Sequence, residues 1–461
     1  MTTLSHARLL LSGLQAGLAG SVIGPDDPDY DEARRVFFPA FDRRPAAIVR
    51  PVDAEEVAYV VALARETGLD LAVRSGGHSL ADHGITNGGI VLDLSRLKAI
   101  EIDADRRVAW AETGLTAGEM TTAAAAHGLA VPFGDAAPVG IGGLTLGGGV
   151  GYLARKHGLT IDSLLAAELV TADGQQRRVD ADEDPDLFWA IRGGGGNFGV
   201  ATRFLFRLHP VDVVTGGMLI LPATAETIAG FTAAAEEAPD EVSTVANVLA
   251  APPVPFVPAE HHGRLVVMAM IAHAGPVDES EQALAPFRAL APPIADLLRP
   301  MPYPEMFPTE EPPRQLAVGR TTFMDALDRD DAGEILDRLQ PSTALVRAVQ
   351  LRVLGGAVAR IDPDATAFAH RRRRIMVNVG AMYAKPEEGP SHEAWSRATA
   401  EALRQGEDGA YVNFVGDEGE ERVRAAYPGR TWERLAEVKR RYDPDNLFRL
   451  NQNVPPAERY G

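Results

Sequence analysis

The sequence contains no cysteine, which excludes disulfides, thiolate metal sites and cysteine nucleophiles together. Cationic side chains are scarce beside acidic ones: 45 lysines and arginines against 64 aspartates and glutamates leave a net charge of -19. Duplex nucleic acid and anionic membranes repel such a surface, so neither is expected as a partner. No run is long and apolar enough to span a bilayer. Residues 9–24 come nearest to a secretory leader, but only Arg8 is basic before them, and Gly13, Gln15 and Gly17 interrupt them. Leu10, Leu14 and Leu18 recur there at helical spacing, so the segment reads as a folded N-terminal helix, with the cytoplasm as the expected compartment. Paired histidines in H-E-x-x-H spacing are also lacking, so no metal site is expected.

What is present is a chain of 461 residues, more than one hydrophobic core normally serves, so two lobes are expected. Texture divides it. Residues 46–210 are glycine-rich with short apolar runs, 211–410 gain prolines (dense between Pro252 and Pro313), and 411–461 change again. Ala47–Val49, Leu71–Val73 and Ile90–Leu94 read as strands, and Asp53 before an apolar repeat reads as a helix start. Glu168–Thr171 followed by Asp173-Gly174 reads as a strand entering a hairpin. Strand, helix, strand and then hairpins indicate an α+β class rather than a doubly wound sheet. Trp432–Tyr442 reads as a basic amphipathic helix stopped at Asp443–Asn446, and the run Arg371–Arg374 as a solvated face.

Glycine carries the densest signal. Arg74-Ser75-Gly76-Gly77-His78-Ser79 follows an apolar strand directly, and adjacent glycines let backbone amides approach an anion, with the arginine and serines as further donors. Such a loop suits a pyrophosphate. Residues 140–151 hold seven glycines interleaved with Ile, Leu and Val, unlike a flexible linker. The third cluster, Gly193–Gly199, contains G-x-G-x-x-G, but a helix-like segment precedes it and a strand-like one follows, the reverse of the dinucleotide fingerprint. Gly77-His78-Ser79-Leu80-Ala81 falls short of the serine-hydrolase G-x-S-x-G. His78 is therefore read as a group held against a cofactor.

These segments, with His157-Gly158-Leu159 and Asp162, Asp186–Gly199, Tyr411-Val412-Asn413 and Val438–Phe448, resemble the vanillyl-alcohol-oxidase superfamily, and within it the berberine-bridge-enzyme-like oxidases. The resemblance implies a two-lobed PCMH-type FAD-binding domain (1–210, completed by 411–461) and a substrate domain (211–410) with an antiparallel sheet covered by helices. It implies FAD bound through one 8α-histidyl link at His78. Relatives with a second link use a cysteine where this chain has Ala136. Cofactor contacts fall on Arg74, Ser75, Gly76, Gly77, Ser79, His83, Val139, Gly140, Gly142, Gly143, Gly147, Val200, Asn451 and Asn453. A small side chain at Val139 goes with reaction with dioxygen.

The chemistry implied is hydride transfer from an alcohol or amine C–H of a small organic substrate, such as a secondary metabolite, with dioxygen reduced to hydrogen peroxide. The alternatives are an oxygenating, favorskiiase-like flavoprotein and a flavin carrier without turnover. A monomer or homodimer is expected. Many relatives place a tyrosine where this chain has Phe414, which cannot accept a proton. The candidates for catalytic work are Tyr411 and Asn413, read as alternating on one strand, Tyr152 after the glycine segment, and Gln350 and Arg352, which alternate in Val349–Val353. A buried Arg352 would suit a carboxylate or a polarised carbonyl.

Overall fold

The computed structural model describes residues 13–14, 17–38, 42–307, 314–339 and 342–458. Helices and sheets are mixed, and the site is set by how three sheets meet. The first sheet orders its strands as Ser21–Ile23, Ala47–Arg50, Ile90–Asp93 and Leu71–Arg74. The last three are parallel and the first is an antiparallel edge. Between Arg50 and Leu71 runs the helix Ala54–Thr67. Its first turn is capped by the Asp53 carboxylate, which accepts the Glu56 N–H, and it ends on Gly68 at φ 67°, where a left-handed residue is needed and glycine adopts it freely. Val57, Val60, Val61 and Ala64 face the sheet. Of the N-terminal leucines, Leu14 is buried in this cluster and Leu18 packs against it; Leu10 lies outside the described residues.

The second sheet is antiparallel throughout, ordered Ile100–Asp103, Val108–Glu112, Val200–Arg207, Leu164–Val170 and Gln176–Asp180. The hairpin expected at Asp173-Gly174 joins its last two strands, with Gly174 at φ 80°. The helix Arg430–Tyr442 buries Leu435, Val438 and Tyr442 in this sheet's core.

The third sheet has eight antiparallel strands. Val213–Pro222, Leu265–His273, Val242–Ala250, Val346–Val353, Ile375–Tyr383 and Leu316–Met324 lie side by side in that order, and the short Ala295–Asp296 and Arg299–Pro302 pair with the first of them. One face is covered by the helices Ala225–Glu237, Ser280–Arg288, Arg329–Arg338 and Gly389–Ala402, which bury Phe231, Phe287 and Ile335. The proline-dense stretch contributes strands to this sheet as well as connections. Leu265–His273 runs through it, with Pro258 and Pro276 outside its two ends, where a missing N–H breaks no ladder.

Two local readings are corrected. Arg371 is fully buried rather than solvated: it donates to both Asp162 oxygens at 2.7 Å and to Thr366 Oγ1 at 2.8 Å. Asp162 also accepts the Leu159 N–H, so the His157–Asp162 segment is tied to the third sheet's connections. Tyr411–Asn413 is not a strand; Val412–Phe414 forms a single 3-10 turn. Among the described residues no helix is long and apolar enough to cross a membrane.

Candidate active site

A cavity of about 720 Å³ opens where the sheets converge. Its wall draws Val73 from the first sheet, Val200 and Ala201 from the second, and Gln350 and Asn378 from the third. Residues 411–415 and 450–452 close it.

The loop after Leu71–Arg74 supplies one side. A Cβ at Gly76 would collide with the Gly140 backbone nitrogen, and one at Gly140 with the Gly76 nitrogen and the Ser75 side chain. Two backbone segments therefore touch without side chains between them, and Gly77 completes the turn at φ 70°. Ser75 Oγ is not a spare donor. It donates to Thr113 O at 2.6 Å and accepts the Gly142 N–H at 3.3 Å, clamping both glycine segments. The Arg74 guanidinium is likewise anchored within the protein through Nη2. It donates to Asp93 at 2.9 Å and to Ala33 O at 2.6 Å. Burial pushes the Asp93 carboxyl up, but Arg74 and Arg50 hold it below the usual range. The arginine is a buttress beneath the loop.

His78 is half-buried at the cavity wall. Its Nδ1 lies 2.9 Å from Gly76 O, and its ring stacks on Phe37 with centroids 4.3 Å apart. Ser79 and His83 also line the cavity, and burial pulls the His83 imidazole down to about 4, so it is neutral near pH 7.

The segment 140–151 opens as a short helix, Ile141–Gly147. Val139, Gly140, Gly142 and Gly143 line the cavity; Gly147 does not, because it lies under the Asn413 carboxamide, which a side chain would strike. Gly143 and Gly196 differ from the others. A Cβ at either would meet no atom within 4 Å, so nothing in the protein's own packing requires glycine there. Both face the cavity, and a cradle that side chains would fill fits a bound flat or charged group.

In the Asn-Gln-Asn segment, Asn451 and Gln452 line the cavity and Asn453 does not. Asn451 donates to Gly196 O, and Gln452 to Val415 O at 2.7 Å. Asn197 explains the preceding glycine cluster: its amide donates to Gly194 O and Gln452 O and accepts the Val454 N–H. Lys439, fully buried, completes the knot by donating to Asn197 O, Asp443 and Phe448 O.

The catalytic candidates separate clearly. Tyr411 Oη accepts the Gly149 N–H at 2.8 Å and an Asn413 Nδ2–H at 3.0 Å. Burial holds its phenol above the ordinary value, and those two donors and Arg352 offset only part of that rise. The two residues meet because the 3-10 turn folds Asn413 back under the ring. Phe414 packs edge-on against Tyr411. Arg352 is buried outside the cavity wall, with each of its three nitrogens donating within the protein, to Gln350 Oε1, Val150 O and the Asp135 carboxylate, so it is not placed to receive a substrate carboxylate. Gln350 lines the cavity and donates to Asn247 Oδ1 at 3.0 Å. Tyr152 is not in the cavity wall; it is buried edge-on against Phe307, and burial raises its phenol. Sequence reasoning missed Phe37, Asp135, Asn247, Asn378 and Gln452. A lone asparagine in each of two apolar runs, 245–248 and 376–379, was a signal for two of them.

Comparison with known proteins agrees with this geometry. Residues 45–180 match the family described as FAD binding domain, and residues 410–455 the family described as berberine and berberine like. The chain is 31% identical over 457 residues to an FAD-linked oxidoreductase of Bacillus subtilis (strain 168), covering 96% of this chain and 98% of that one. It is 32% identical over 458 residues to (R)-6-hydroxynicotine oxidase of Paenarthrobacter nicotinovorans, covering 95% and 97%. The crystal structure of 6-hydroxy-D-nicotine oxidase from Arthrobacter nicotinovorans superposes with a TM-score of 0.83 at 29% identity, over 96% of this chain and 99% of that one. A variant of berberine bridge enzyme shares the fold, with a TM-score of 0.86 at 23% identity over 98% and 100%. The cavity, its glycine cradle and these relatives lead to one assignment: the chain belongs to the berberine-bridge-like family of FAD-linked oxidoreductases.

Proposed function

We propose that this oxidoreductase is an oxidase of a small alcohol or amine, passing two electrons from a substrate C–H to dioxygen and yielding hydrogen peroxide. The observation that carries the reading is Tyr411. Its oxygen accepts two N–H donors, which favour the phenolate against the burial that raises the phenol, and once ionised it would take the substrate's O–H or N–H proton. Phe414 cannot supply that function. The relative named (R)-6-hydroxynicotine oxidase supports an oxidase outcome, as does the small Val139 in the cavity wall.

Residues 1–210 with 411–461 would hold FAD, and 211–410 the substrate. When bound, FAD supplies the two-electron acceptor. His78 carries its single covalent attachment, with the ring set by Gly76 O and Phe37; Ala136, also in the cavity wall, can offer no second. Gly140, Gly142 and Gly143 would let backbone lie against the cofactor, and Asn451 and Gln452, in the same cavity wall, would help hold it. Asn413 and Gly149 hold the Tyr411 oxygen, and Arg352 positions Gln350 and Asp135 beside it.

Acid denaturation of the purified protein should leave yellow colour on the polypeptide, and His78→Ala should remove it. Tyr411→Phe should keep the colour and lower kcat by about 10²–10⁴-fold, the worth of a positioned base. Colour lost from the wild type on denaturation sinks the covalent link. Unchanged turnover in Tyr411→Phe sinks the base, and labelled oxygen found in the product makes the enzyme an oxygenase.

A further inference from the structure

The face of the third sheet not covered by helices is built in tiers. Asn247, Gln350 and Asn378 stand directly opposite one another on adjacent strands, so their carboxamides share the cavity face. Thr321 is the next partner in the row, and its Oγ1 accepts the Tyr411 N–H at 3.0 Å. The amide row therefore ends at Tyr411. Two residues along the strands of Gln350, Asn378 and Thr321 the same face presents Ala348, Gly380 and Gly319, a shelf with almost no side chain, bounded by Leu249 opposite Ala348. Two further on come Val346 and Met382, more than a third exposed. At strand spacing this runs roughly 13 Å from amides to apolar rim.

The row is not saturated. Gln350 is bonded on both sides, by Asn247 and Arg352. The Asn378 amide oxygen is buried without a hydrogen-bond partner among the described residues, a state that costs free energy unless a ligand relieves it. Charge is absent by contrast. Among the described residues of the cavity wall, the carboxylate and guanidinium groups are those of Asp135 and Arg74, and each is in an ion pair, with Arg352 and Asp93. A charged substrate would enter without a counter-ion and lose more in desolvation than it gained.

We infer that Asn378 and Asn247 are the specificity-determining residues of this site, and that they select an uncharged, flat substrate. Its hydrogen-bonding end lies on the amide row beside Tyr411, its ring over the small-residue shelf and its apolar end at Val346 and Met382. The inference rests on reading the cavity as the substrate site of a flavoprotein. It sets this chain apart from a site for a polyhydroxylated sugar, because the outer tiers offer no polar side chain.

The test is a titration of the holoenzyme at pH 7 with benzamide, benzoate and benzylammonium, read from the visible flavin absorbance. Benzamide should perturb the spectrum, with benzoate and benzylammonium at least about tenfold weaker. Asn378→Ala should weaken benzamide by about tenfold, the loss of one well-placed hydrogen bond. Asn378→Asp, close in shape, should reverse the preference towards benzylammonium. Asn247→Asp is the second variant, and flavin content reports folding of each. Purified protein without flavin overturns the proposed function and this inference with it. Flavin present, with benzoate or benzylammonium equal to benzamide, no benzamide response, or Asn378→Ala unchanged, overturns the inference alone.

Discussion

Single glycines in this cavity do opposite jobs, and a methyl group tells them apart. At Gly76 a Cβ would meet the Gly140 backbone, so Gly76→Ala should part the two segments and lower stability by about 1–3 kcal/mol, as overpacking does. At Gly143 a Cβ meets nothing, and the residue lies inside a helix. There Gly143→Ala should leave the polypeptide as stable or about 0.5–1 kcal/mol more so, while Gly143→Val lowers the flavin carried per chain. Urea midpoints and flavin-to-protein absorbance ratios, read on the same samples, separate the two effects. A loss of stability at Gly143 matching that at Gly76 would show that both serve packing alone. The same scale explains Arg74 and Ser75. Their sequence position announces donors beside a cofactor loop, but only the fold reveals that Asp93, Ala33 and Thr113 already consume them.

At the scale of elements, the C-terminal helix is held by one buried ion pair. Lys439 and Asp443 are both fully buried, and burial draws the lysine down to about 8 against the pull of its partner. Asp443 also accepts the Leu447 and Phe448 N–H groups, so removing the lysine strands a carboxylate that cannot move to water. Lys439→Met should therefore cost about 3–5 kcal/mol, read from chemical denaturation, and loosen Asn197 and the Gln452 wall with it. A cost under 1 kcal/mol would mean that the pair contributes little. Elements with local signals were legible in advance: the Asp53-capped helix, the Asp173-Gly174 hairpin, and the helix Pro185–Ile191 and strand Val200–Arg207 on either side of Gly193–Gly199. Those decided by distant partners were not. Arg371 looks like surface until Asp162 is brought to it from more than 200 residues away. Tyr411 and Asn413 looked like strand because alternation is blind to a 3-10 turn. Asn247 and Asn378 become a row only once Gln350 lies between them.

At the scale of the whole molecule, buried histidines set a pH limit. Burial pulls His157 down to about 3, and His209 and His370 to about 4. His157 and His209 stack on each other, and His370 stacks on Phe323. Unfolded, each has its ordinary value near 6.5. The unfolded chain therefore binds more protons between pH 6.5 and about 4, so the stability they lend is complete above 6.5 and is lost as pH falls through that window. Unfolding at pH 5 should take up roughly three protons from these histidines and about one more from His83, which burial also draws to about 4, measured as the slope of unfolding free energy against pH. A flat profile between pH 7 and 5 would contradict their neutral burial.

The cavity wall begins at Phe37 and ends at Gln452, with Lys439 and Asn197 fastening the late segment to the early one. A nascent chain with residues 411–461 unmade or inside the ribosomal exit tunnel lacks that wall. FAD capture should therefore follow completion of this wall, and the yield of yellow protein in rapid expression should track cofactor supply at that point rather than the pace of elongation.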